Sequence, residues 1–275
     1  MTIASTDGVE VAVYALAGRE GRPTLLMSHA TGFHGHCYAP LAEELAAEFH
    51  SIGFDYRGHG DTIQPTGVGV DWLRYTDDAE AVALSLPSPL VGFGHSMGGA
   101  CLLMAAHRHP SLFSRLVVYE PIVFPPDGSD ARPGPSLLAV GARRRRESFA
   151  SFDAALTNFS SKPPLSGFTP AALEAYVRYG FREGEDGQVH LKCRPEIEAA
   201  TFEMSRSHDT WDVLPDIKIP VLIACGLPLP DSPAQYSQAV ADRLANCTYV
   251  QLDDLDHFGP MTHPAIVAEL LLQAT

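Results

Sequence analysis

Ser96 lies in the run Gly92-Phe93-Gly94-His95-Ser96-Met97-Gly98-Gly99-Ala100, which matches the pattern G-x-S-x-G at Gly94, Ser96 and Gly98. The apolar residues Leu90 to Phe93 read as a strand, and Ala100 to His107 reads as a helix. A serine at such a strand–turn–helix junction holds its hydroxyl clear of the sheet, in a strained turn for which flanking glycines leave room. The N–H groups that open the helix face the place where negative charge builds on a carbonyl oxygen under attack. The chemistry is nucleophilic catalysis. A serine hydroxyl is a weak nucleophile near neutral pH, so an imidazole must take its proton and a carboxylate must orient that imidazole.

A nucleophile presented in this way needs a parallel sheet beneath it. The first 120 residues alternate between strand-like and helix-like segments. Val9 to Ala15 reads as an edge strand, Thr24 to Ser28 as a buried strand, and Ser51 to Phe54 as a strand ending at Asp55. Pro40 to Phe49 and Trp72 to Leu86 carry apolar residues at helical spacing, and Leu116 to Tyr119 is the strand after the serine's helix, ending at Glu120. Alternation of this kind implies a parallel sheet covered on both faces. The pattern then breaks. Residues 121–212 are rich in proline and glycine and contain helical pieces without intervening strands, including the run Arg143 to Arg146. Strands resume at Val221 to Cys225 and Thr248 to Leu252, followed by helices over Ala234 to Arg243 and Pro264 to Gln273. The organisation expected is a core of residues 1–120 and 213–275 with a helical lid, 121–212, over the carboxyl ends of the strands, where open α/β sheets bind ligands. In that lid Arg143 to Arg146 reads as a solvated helix, and most of its aromatics, Phe149 to Trp211, as lid core.

Composition narrows the class. The 275 residues are 45% hydrophobic and 19% charged, with a formal net charge of −14. The chain is long enough for one large core, and its acidity argues against nucleic-acid or anionic-membrane partners. Five cysteines (Cys37, Cys101, Cys193, Cys225, Cys247) without a C-x-x-C pair read as free thiols in a reducing compartment. No signal pattern opens the chain and no apolar stretch reaches membrane-spanning length, so a soluble cytoplasmic enzyme is expected. Oligomeric state is not legible. His29, His34, His36 and Cys37 crowd one loop, but no carboxylate completes a ligand set, and no metal or cofactor is expected.

With these features in view the chain resembles the α/β-hydrolase superfamily, in the group with an inserted helical cap. Ser28-His29-Ala30-Thr31-Gly32-Phe33 is similar to that family's loop after the third strand, with Ala30 where glycine is usual. Asp55-Tyr56-Arg57-Gly58-His59-Gly60 is similar to its turn after the fourth, and Leu255-Asp256-His257-Phe258 to its late histidine segment. The resemblance implies a mostly parallel sheet of about eight strands. It assigns His257 as the base, Met97 N–H as one oxyanion donor, and Thr31 as the second, with Gly32 or Phe33 as other sources. It usually places an aspartate about three residues past the glycine that ends the seventh-strand segment, but that slot holds Leu229. Some relatives use a glutamate at the end of the strand after the nucleophile's helix. Glu120 is therefore the expected acid and Asp231 its alternative. Ala30, Gly32, Phe33, His95 and Phe124 are expected at the substrate pocket, with His95 packed structurally beside the serine. Asp55, Arg57 and His59 are expected to brace loops.

The expected function is hydrolysis of a carboxylic ester or lactone, a small-molecule substrate, through an acyl-enzyme. Two alternatives are hydrolysis of a carbon–carbon bond in a β-diketone-like substrate and ligand binding on a hydrolase scaffold.

Overall fold

The computed structural model describes residues 1–126 and 136–274. Strands β1 (Thr2–Ala4), β2 (Glu10–Ala17) and β3 (Thr24–Ser28) are followed by helix α1 (Ala39–Glu44), β4 (His50–Phe54), α2 (Trp72–Leu84), β5 (Leu90–His95), α3 (Met97–Arg108) and β6 (Phe113–Tyr119). The insert holds α4 (Leu137–Arg143), β7 (Ser148–Phe149), α5 (Phe152–Ser160), α6 (Pro170–Gly180), β8 (Phe181–Glu183), β9 (Val189–Leu191), α7 (Pro195–Glu203) and α8 (Thr210–Val213). The chain closes with β10 (Val221–Cys225), α9 (Ala234–Arg243), β11 (Cys247–Gln251), α10 (Gly259–Thr262) and α11 (Pro264–Ala274).

The main sheet has eight strands in the order β1-β2-β4-β3-β5-β6-β10-β11. The two pairings of β2 are antiparallel and those from β4 to β11 are parallel. The central strands are apolar along their whole length because both faces are covered. One face packs on α2 and α3 through residues such as Leu26, Val118, Val82 and Leu102, all fully buried. The other packs on α1 and α11 through Leu25, Val117, Leu41 and Leu271, equally buried. Each such side chain stabilises the fold by roughly 1.5–3 kcal/mol.

Register matters most at the carboxyl ends. His95 pairs with Tyr119, and Tyr119 pairs with Ala224. Strands β5, β6 and β10 therefore end side by side, and the first residues past them are Ser96, Glu120 and Gly226.

Four expectations are corrected. The second strand is not an edge: the three-residue β1 pairs with it, Thr2 opposite Ala12, a segment too short to announce itself by alternation. The insert is not purely helical: β7, β9 and β8 form an antiparallel three-stranded sheet of its own. The arginine run is not a solvated helix. Helix α4 stops at Arg143, whose guanidinium meets Glu196 and Glu203. Arg145 turns inward to Glu198 and the Tyr176 hydroxyl, and Arg146 lies over the Phe149 ring. Trp211 joins the main core, under the Arg243 guanidinium, rather than the lid's.

Candidate active site

Ser96 follows β5 with φ 56° and ψ −116°, a left-handed backbone that a non-glycine residue tolerates only where its surroundings enforce it. The enforcement is visible next door. A Cβ on Gly98 would collide with the Ser28 carbonyl, and one on Gly94 would stand 2.7 Å from Gly99 Cα. The turn places Ser96 at the N-terminus of α3, with only 5% of the residue exposed.

His257 lies between β11 and α10, and Glu120 directly follows β6. The Glu120 carboxylate oxygen Oε2 is 2.7 Å from His257 Nδ1, and His257 Nε2 is 3.2 Å from Ser96 Oγ. A carboxylate only accepts, so Nδ1 carries the ring proton and Nε2 is free to accept from the serine hydroxyl. Glu120 is fully buried, at φ 45°, and its Oε1 accepts from Gly226 N–H at 2.8 Å while Ser232 Oγ donates to Oε2 at 3.4 Å.

Asp231 stands elsewhere. It is exposed, at φ 68°, in the loop between β10 and α9, while the Nδ1 position is taken by Glu120.

The loop after β3 supplies the rest. Gly32 N–H is 3.1 Å from His59 Nε2, and Phe33 N–H donates to the Ala30 carbonyl at 3.1 Å. Among the described residues neither Thr31 N–H nor Met97 N–H has a hydrogen-bond partner. The left-handed angle of this loop falls on Gly32 (φ 77°), so Ala30 needs no glycine-like freedom. Asp55 accepts from Gly35 and Asp61 N–H and His59 accepts from Gly32 N–H, so both brace this loop, while Arg57, buried against Asp78, ties its own turn to α2.

Of the expected pocket residues, Phe33 packs its ring 6.0 Å from Phe168, 5.5 Å from Tyr176 and 6.2 Å from Phe258, and Phe258 in turn meets the His257 ring at 5.5 Å. These rings make an apolar wall next to His257. Ala30 is buried with its N–H given to the Tyr38 hydroxyl. Phe124 lies against Tyr236 under the Arg206 guanidinium. His95 is not at a pocket surface: it is fully buried, with both ring nitrogens engaged, and burial followed by the neighbouring His257 holds its pKa well below the usual histidine value. The histidine-rich loop is likewise neutral inside the fold. Burial lowers His29, His59 and His36, and lowers His34 to about 4. Among the described residues no three of His, Cys, Asp and Glu are grouped to hold a metal ion, and the five cysteines are free thiols. No helix of the described residues is long and apolar enough to cross a membrane.

Sequence reasoning missed Tyr38, Tyr119, Gly226, Ser232, Arg145 and Glu198. Tyr119 carried one usable signal, its place immediately before Glu120. The others meet the site only through tertiary contacts.

Comparison with known proteins follows the same line. A family model described as alpha/beta hydrolase family matches residues 25–270. A type I acyl-CoA thioesterase of Penicillium roqueforti (strain FM164) is 26% identical over 208 residues, 68% of this chain and 45% of that protein. The chain thus spans less than half the length of that relative. A pimeloyl-(acyl-carrier protein) methyl ester esterase of Aromatoleum aromaticum is 26% identical over 91% of this chain and 97% of its own length. Among solved structures, a thioesterase domain from the curacin biosynthetic pathway superposes with a TM-score of 0.77 at 18% identity, covering 99% of this chain and 98% of that one. That likeness is one of fold.

Proposed function

This chain belongs to the alpha/beta hydrolase family, and we propose that within it the protein is a serine hydrolase that cleaves a carboxylic ester or lactone through an acyl-enzyme. The observation that carries the reading is the continuous hydrogen-bond path from Glu120 through His257 to Ser96, at 2.7 and 3.2 Å. Ser96 Oγ bonds to the substrate's carbonyl carbon as its proton passes to His257 Nε2. The carbonyl oxygen, now an anion, is received by Met97 and Thr31 N–H, which are fixed in place beforehand. Glu120 stabilises the imidazolium without taking its proton. Collapse expels the alcohol, which collects the proton from Nε2; in a lactone that alcohol stays tethered to the acyl group. Water then attacks the acyl-serine with His257 as base, and Ser96 leaves with the proton returned. This sequence needs no cofactor.

Two further facts support an acyl substrate with an apolar part. The rings of Phe33, Phe168 and Phe258 stand beside His257, and the relatives above are named as enzymes of acyl thioesters and a methyl ester. The test is labelling with a fluorophosphonate probe together with turnover of a panel of p-nitrophenyl esters, lactones, acyl thioesters and a vinylogous diketone. Labelling that vanishes in Ser96→Ala, with ester or lactone turnover, is the expected result. Turnover of the diketone alone replaces the ester reading by carbon–carbon hydrolysis. A native protein that neither labels nor turns over any member is a binding protein on this fold.

A further inference from the structure

His95 and Tyr119 are the residues immediately before Ser96 and Glu120, and they are register partners on neighbouring strands. Both reach the same third loop. The Tyr119 hydroxyl donates to the Asp256 carbonyl at 2.7 Å, and His95 Nε2 is 2.8 Å from the His257 carbonyl. Two consecutive backbone carbonyls of the His257 loop are thus gripped from below by the residues that precede the other two members of the site. Their rings meet edge-on at 5.7 Å, so the two side chains pack on one another beneath that loop. A Cβ on Gly259 would strike the Tyr119 hydroxyl, so glycine there lets the loop sit down on it.

The proton directions in this arrangement are determined. A carbonyl only accepts, so His95 Nε2 carries a proton. With the ring neutral, Nδ1 must accept, and its partner at 2.7 Å is the Tyr38 hydroxyl. That hydroxyl in turn accepts from Ala30 N–H at 3.1 Å. One chain of donors therefore runs from the backbone next to Thr31, through Tyr38 and His95, to the backbone of His257. Ala30, Tyr38 and His95 are buried, and each link polarises the next.

We propose that His95 and Tyr119 form a clamp that sets the height and tilt of the His257 imidazole over Ser96, and that Tyr38 ties this clamp to the loop bearing the Thr31 N–H. Neither clamp residue touches substrate: they are positioning residues for the reaction read above, on which their kinetic role rests. The geometry required is demanding, since a displacement of about 1 Å at a reacting group costs on the order of 100-fold in rate. Loss of the two donors leaves the His257 carbonyl without its partner and the Asp256 carbonyl with Gly259 N–H alone, which loosens the loop.

The experiment compares Tyr119→Phe, which removes one hydroxyl, His95→Leu, which removes both ring nitrogens, His95→Gln, which keeps an N–H that reaches the His257 carbonyl, and the Tyr119→Phe/His95→Leu pair. Two readouts are taken. One is kcat and KM on whichever substrate the native protein turns over. The other is the far-downfield proton resonance of His257 Nδ1–H, which needs no turnover. The pair is expected to lose about 100-fold in kcat with KM changed less than about 3-fold, and to lose the resonance through exchange with water. His95→Gln is expected to retain the resonance and most of kcat. Tyr119→Phe alone, which fills the same space as the native ring, keeps the test open if the pair does not fold. A Tyr119→Phe protein and a folded pair with native kcat and an unaltered resonance overturn the clamp. So does equal loss in His95→Gln and His95→Leu. A native protein with the resonance but no turnover refutes the hydrolase reading alone, and the resonance in the variants still decides the clamp.

Discussion

The carboxyl-terminal crest of the main sheet and the insert above it solve the problem of placing a side chain in opposite ways. On the crest, Ser96, Glu120 and the His257 loop hang from strand ends through backbone: left-handed angles at Ser96 and Glu120, N–H groups of Gly226 and Glu120, and carbonyls of Asp256 and His257. Most of the side chains involved are aromatic, with the fully buried Glu120 among them. In the insert, helices α4 and α7 are joined by long charged side chains, Arg143 to Glu196 and Glu203, and the loop after α4 by Arg145 to Glu198, beside a small apolar contact of Ala139, Ala142 and Ala199. The two regions meet where Phe33 packs on Phe168 and Tyr176, and again where the buried Glu198 side chain lies so close to Gly32 that a Cβ there would stand 2.6 Å from Glu198 Oε1. Backbone placement costs little side-chain entropy and is unforgiving; charged placement is adjustable and depends on burial.

The sharpest way to break this comparison lies on the crest, between its two carboxylate candidates. Glu120→Gln keeps shape but cannot hold the imidazolium, and kcat/KM is expected to fall by on the order of 1,000- to 10,000-fold. Asp231→Asn is expected to stay within about 3-fold of native. Turnover of a p-nitrophenyl ester by the two purified variants checks it, and a crippled Asp231 variant beside a healthy Glu120 one would reverse the assignment.

The insert gives the next largest effect. Burial alone would lower the Arg145 pKa, but Tyr176 and Glu198 outweigh it and keep the guanidinium charged, while burial pushes Tyr176 up to about 12. Arg145→Met leaves the 10%-exposed Glu198 carboxylate without its cation, and a loss of roughly 3–5 kcal/mol is expected from urea midpoints. Arg143, 38% exposed in the same cluster, is expected to cost far less as Arg143→Ala, since solvent screens its ion pairs. Equal losses at the two positions would mean that burial does not separate them.

The smallest effect is shared by both regions. His34 on the crest and His208 in the insert are each lowered by burial from 6.5 to about 4. Each stays neutral in the folded chain while the unfolded chain takes up a proton below pH 6.5. Stability is therefore complete above that value and is lost as pH falls toward 4. By pH 5 each histidine accounts for roughly 2 kcal/mol. Urea unfolding at pH 7.5 and pH 5 measures the sum, and a midpoint that rises on acidification would contradict it.

The same contrast explains what could be read from the amino-acid order. Strands such as Val221–Cys225 and Leu90–His95 are unbroken apolar runs bounded by turn residues, so the central sheet was legible, and the glycines around Ser96 announced its turn. The juxtaposition of Glu120 with His257 followed from the absence of a carboxylate at Leu229. The insert's sheet was not legible, because β7, β8 and β9 have two or three residues each and no alternation can be seen over that length. Arg145 was misread with its neighbours because four like charges give no hint that α4 ends at the first of them. The contact between Tyr38 and His95 gave no signal: a hydroxyl and an imidazole 57 residues apart meet only when the sheet has formed.

The left-handed backbone at Ser96 has a consequence for anyone who would use this molecule as a scaffold. An L-residue held there costs about 1–3 kcal/mol, which glycine would not incur. A Ser96→Gly protein should therefore melt higher than the native one, and a screen for heat tolerance alone, run without selection for turnover, will tend to discard the proposed nucleophile first.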